Sequence, residues 1–188
     1  MNSKTPARMV VVKKEEKETK LQELIRGALA SAVASNPALE LRVLAMSLAS
    51  PVAAAVRALS PELKLAGVQA RIMLVKSPSA SETPLVETRA LRQLTDTRCH
   101  DAHELLVLGT ETAWIGDSLR RDPVGRDSFE LHAPVDTETA RAVTQSFDRI
   151  WRLAVPATPR ELETALDLAA SLSALGSQSE TVCALTRH

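Results

Sequence analysis

The chain has 188 residues, with 23 Lys and Arg balanced by 23 Asp and Glu, so it lacks the positive field of a dedicated nucleic-acid binder and the charge excess of a disordered chain. Hydrophobic residues make up 45% but aromatic residues only 2%, with no Tyr, so the core has to be assembled mostly from Ala, Leu and Val. No apolar run reaches the ~20 residues of a membrane span, residues 1–20 lack the apolar stretch of an export signal, and Cys99 and Cys183 form no disulfide framework; a cytoplasmic location is expected.

Residues 1–20 end in a mixed-charge run from Lys13 to Lys20 and read as a flexible N-terminal segment. Apolar positions at Leu21, Leu24, Ile25, Ala28, Leu29, Ala32 and Val33 then share one helical face, and Asn36-Pro37 stops that helix. The run from Leu41 to Leu48 suits a buried strand, and Ser50-Pro51 opens a helix with Ser at the N-cap and Pro in the first turn. Val68 to Val75 reads as the next strand, which makes strand, helix, strand a parallel crossover.

A polar loop from Ser77 to Thr83 follows, then a strand or short helix between Leu85 and Leu94. Glu104–Leu108 and Ala113–Ile115 look like two strands of a hairpin turned at Gly109-Thr110-Glu111-Thr112. Thr137 to Leu153 has helical spacing, and Thr158-Pro159-Arg160-Glu161 combines a capping box with Pro at the first helical position. The resulting division is one α/β domain over residues 21–175, with a final helix over about 158–175, and a tail over 176–188.

The stretch from His103 to Glu130 carries the most information. An apolar strand, a polar turn, Trp-Ile-Gly, a polar loop and Phe-Glu follow one another in an order that resembles the motif region of phospholipase D-type domains. That family's pattern is H-x-K, four residues, D, six residues, G-S-x-N, then a loop ending in an apolar residue and Glu. Aligned on Gly116, Phe129-Glu130 falls on the terminal pair, but the family's His falls on Ala102, its Lys on Glu104, its Asp on Gly109, and its Ser and Asn on Asp117 and Leu119. Sliding by one residue keeps His103 but places Leu105 at the Lys and Thr110 at the Asp. The resemblance covers residues 40–153 and implies a phospholipase D-like sandwich, a mixed β-sheet flanked by helices with N- and C-terminal helical extensions, in a degenerate single-motif form.

The family's reaction uses a His nucleophile on phosphorus, with Lys and Asn stabilising the phosphoryl oxygens. This chain has no Lys after Lys76. The resemblance therefore implies a catalytically inactive binding or regulatory protein, and, with one motif per chain, a homodimer. An atypical phosphodiesterase or nuclease would have to use His103 with Glu130 and the loop arginines, and a structural protein would act through its terminal helices.

The loop from Asp117 to Asp127 holds the anion-binding candidates Arg120, Arg121, Arg126 and Ser118; the arginines equally well pair with Asp117, Asp122 and Asp127. Cys99, His100 and His103 are weak metal-ligand candidates, because neighbouring ligands on one short segment rarely close a tetrahedron. No cofactor is implied. The partners expected are a second copy and a phosphate-containing ligand or protein, with no membrane and no sign of nucleic acid.

Overall fold

A computed structural model describes residues 7–33, 39–76, 88–121 and 124–157. Eight strands form one mixed sheet: β1 Arg8–Val12, β2 Glu40–Ala45, β3 Gln69–Leu74, β4 Thr88–Gln93, β5 His103–Leu108, β6 Thr112–Ser118, β7 Ser128–Ala133 and β8 Val155–Pro156. Their order across the sheet is β1-β7-β6-β5-β2-β3-β4-β8. The β2–β3 and β3–β4 pairs are parallel and the others antiparallel. Helices α1 (Lys17–Val33), α2 (Pro51–Ala58) and α3 (Ser60–Leu65) bury their apolar faces on one side of the sheet, and α4 (Thr137–Trp151) on the other. Among the described residues no helix is long and apolar enough to cross a membrane.

The core follows from the alternation of side chains along the central strands. Leu41, Val43, Ile72, Leu106 and Leu108 join Leu21, Ile25, Val52 and Val56 under α1 and α2. Leu44, Met73, Leu105 and Val107 meet Ala140, Val143 and Phe147 of α4. Strands β2, β3 and β5 are thus covered on both faces, which is why they read as nearly continuous apolar runs. The scarce aromatics are placed with economy. Phe147 and Trp151 stack at 5.4 Å on α4, Arg71 lies 5.4 Å from both ring centres, and Arg92 lies 4.7 Å from that of Trp151.

The parallel crossover and the β5–β6 hairpin match the sequence reading, and Gly109 takes a φ of 65° in the hairpin turn. The segment between Leu85 and Leu94 resolves to β4. The start of the chain differs from its reading as a flexible segment. Residues 8–12 are the edge strand β1, paired with β7 from Arg8↔His132 to Val12↔Ser128, and α1 begins at Lys17. Its partner strand lies far downstream, so no local pattern announces the pairing. The C-terminal helix expected over about 158–175 and the tail lie outside the described residues.

Candidate functional site

A buried polar cluster lies on one face of β5, β6 and β7, beside the start of α1 and the β2–α2 junction. Cross-strand pairing fixes which side chains share the α1/α2 face. Leu106↔Trp114 and Trp114↔His132 are direct partners, and so are Val10↔Glu130 and Val12↔Ser128. By alternation Glu104, Trp114, Ser128, Glu130 and His132 all lie on this face.

Glu130 is 1% exposed and has three donors. Its Oε2 accepts from Trp114 Nε1 at 2.8 Å and from His132 Nε2 at 3.0 Å, and its Oε1 accepts from the Ser128 hydroxyl at 2.9 Å. Burial alone would raise its pKa. The bonds from His132, Trp114 and Ser128 outweigh that and hold the carboxyl below its usual range. An ionised carboxylate only accepts, so the His132 tautomer is assigned with the proton on Nε2. Trp114 reaches Glu130 by lying flat over Gly116, where a β-carbon would be 2.2 Å from the indole.

Glu104 is 2% exposed. Its Oε1 accepts the Met46 N–H at 2.8 Å, and its carboxylate is also hydrogen-bonded to the Ser50 side chain. Burial is the largest influence and pushes its pKa up; the bonds from Met46 and Ser50 and the charge of buried Lys17 act against this, and the Glu130 charge adds to the rise. Ser50 stands at the N-cap position of α2, as read, but caps no helix N–H. Its hydroxyl instead accepts from Ser47 N–H at 3.1 Å and serves Glu104, because a buried carboxylate left without donors costs more than an uncapped helix end.

The sequence candidates do not converge on this cluster. His103 precedes Glu104 on β5 and points to the α4 side, where its Nδ1 bonds the Gly116 carbonyl at 3.0 Å. The register shifts between His103 and Leu105, so His103 pairs with Ser118. Arg120 pairs with Asp101 at 2.7 Å and Arg121 with Asp117 at 3.6 Å, while the Ser118 hydroxyl accepts from the Arg120 N–H at 3.3 Å. Arg126 is exposed. Cys99 is a half-buried free thiol, the His100 side chain lies outside the described residues, and no group of three or more metal-ligating side chains occurs among the described residues.

Of the sequence candidates only Glu130 belongs to the cluster. Lys17, Ser50, Glu104, Trp114, Ser128 and His132 were missed as site residues. The available signal was parity: Trp114, Gly116, Ser128, Glu130 and His132 stand at even positions of two strands, and two acids on apolar strands need buried partners. As built, the cluster is a set of mutually satisfied groups with no unengaged nucleophile, and its chemistry is that of a lock between three strands and two helices.

Sheet order, helix placement and the motif hairpin define a phospholipase D-like α/β fold. Solved structures agree with this at the level of fold. NucT from Helicobacter pylori superposes with a TM-score of 0.52 at 12% identity, covering 80% of this chain and 98% of that one. Nuc from Salmonella typhimurium, a phospholipase D family member, gives 0.51 at 12% identity with the same coverage. Polyphosphate kinase from Porphyromonas gingivalis gives 0.51 at 15% identity, with 77% of this chain matching 22% of that one. No protein-family model matches the sequence, and no curated protein matches it.

Proposed function

We propose that the chain is a catalytically inactive phospholipase D-like protein that acts by binding, as a homodimer. The observation that carries the reading is Glu104. In the alignment anchored on Gly116 it takes the place of the family's phosphate-stabilising Lys. The structure makes it a buried acid engaged by Met46 and Ser50. A carboxylate there repels developing phosphoryl charge, and Ala102 at the nucleophile position has no group to attack phosphorus.

The atypical phosphodiesterase reading requires His103 and Glu130 to act together. They lie on opposite faces of the sheet, and two of the three loop arginines are occupied by Asp101 and Asp117. Full-length protein assayed with bis-p-nitrophenyl phosphate and single-stranded DNA is expected to show no turnover above buffer. Turnover that disappears in His103→Ala would overturn the assignment.

Association is supported by an apolar row on the α4 side of the open sheet edge. Met9, Val11 and Phe129 are 65%, 57% and 71% exposed, and Val11 and Phe129 are direct cross-strand partners. Light scattering is expected to give twice the 20.3 kDa chain mass, and Val11→Asp with Phe129→Asp to give the monomer. A monomeric parent protein contradicts the dimer.

A further inference from the structure

Between β1 and α1 the structure has an open cleft of about 350 Å³, at the low end of small-molecule sites. It is lined by the apolar Val10, Leu24 and Pro134 and by the polar Arg8, Lys20, Glu23 and His132. The formal charges of Arg8 and Lys20 against Glu23 leave one net positive charge before His132 is counted.

Three features favour an anion here. Arg8 and His132 are direct cross-strand partners on the α1 face, so a guanidinium and an imidazole stand side by side, an arrangement that is unfavourable when both are charged and nothing bridges them. The Arg8 side chain has no ion-pair or hydrogen-bond partner among the described residues. Among the described residues the Lys20 side chain has only the exposed helical pair with Glu16 at 3.1 Å, which holds it weakly. His132, anchored through Nε2 to Glu130, ties this wall of the cleft to the buried cluster.

We propose that this cleft binds a small organic oxyanion, a carboxylate or phosphate monoester with an aliphatic body, its head held by Arg8 and Lys20. The aliphatic part lies on Val10, Leu24 and Pro134. The site is separate from the Asp117–Asp127 loop and does not depend on the inactivity or dimer formation proposed above. It also comes with a reporter, because Trp114, Glu130 and His132 form one hydrogen-bond chain that ends at the cleft.

Calorimetric titration of the full chain with hexanoate and with butyl phosphate tests the inference. Saturable binding of at least one probe is expected with Kd below about 1 mM, and inorganic phosphate and hexanol are each expected to bind at least tenfold more weakly. Whichever probe binds more tightly identifies the head group. Arg8→Gln should weaken binding roughly tenfold, as removal of a charge-assisted hydrogen bond does, while Arg149→Gln, on the far side of the sheet, leaves it unchanged. In a Trp151→Phe background the remaining Trp114 fluorescence should saturate with the same Kd. Absence of saturable binding of both probes at 20 mM overturns the proposal. So does unchanged affinity in the folded Arg8→Gln, Lys20→Gln double variant.

Discussion

At Gly116 a β-carbon would meet Trp114 Cη2 at 2.2 Å and Cζ2 at 2.4 Å, closer than two carbons can approach. The glycine is therefore the seat of the indole, and the indole position is what delivers Nε1 to Glu130. Gly116→Ala should push the ring off that seat and destabilise the fold by about 1–3 kcal/mol, the usual range for overpacking, read as a lower urea midpoint. Glu104 and Glu130 give opposite pH dependences. Glu130 has a lowered folded-state pKa, so its contribution is present above the ordinary value of 4.5 and is lost as pH falls through the lower folded value. Glu104 has a raised one, so its contribution is complete below 4.5 and is lost as pH rises through the raised value. Between pH 4.5 and 8, Glu104→Gln should remove that loss, and its urea midpoint should fall less than that of the parent protein. Identical pH profiles for the two proteins would show that Glu104 does not titrate differently on folding.

The β5–β6 hairpin and α4 were legible because their signals are local. Leu-Leu-Val-Leu, a turn with Gly109, and Ala-Trp-Ile identify the hairpin, and Gly109 at φ 65° is the residue that such a turn demands. Gly109→Ala would force a side chain into this left-handed region and bring its β-carbon to 3.1 Å from Leu39 Cδ2. A loss of about 1 kcal/mol or more is expected by urea titration, with the fold retained. Asp136 caps α4 through the Glu138 and Thr139 N–H groups, both at 3.1 Å, and this helix start lay within the reading at Thr137. The bulge in β6 between Ile115 and Ser118 was not legible. It follows from pairing with β5, and it carries His103 to Ser118 rather than toward Glu130.

For the molecule as a whole, β1 decides how the sheet ends. Val12 is fully buried, β1 completes the pairing of β7, and Arg8 and Val10 form one wall of the cleft. A chain lacking residues 1–12 should lose more than about 3 kcal/mol, from the burial of Val12 and the lost ladder bonds, and should no longer bind the oxyanion probes. Unchanged thermal unfolding of that truncation would mean that the segment is the flexible tail its charge pattern suggests. The apolar row of Met9, Val11 and Phe129 lies on the same edge, so truncation should also reduce the apparent mass by light scattering if the dimer forms there.

The fold class, the central strands, the crossover and the β5–β6 hairpin were determined by sequence alone, because alternation, helical spacing and turn chemistry act over a few residues, although Thr112, read as part of the turn, is the first residue of β6 and pairs with Leu108. On the alignment anchored at Gly116 the sequence also puts Ala102 and Glu104 where the phospholipase D-type pattern has His and Lys. Tertiary structure alone decided that Glu104 and Glu130 face the same buried cluster and His103 the other side, that Ser50 serves a carboxylate instead of a helix end, and that Arg8 stands beside His132. Each of these depends on register between strands distant in the chain, and a shift of one residue reverses every face.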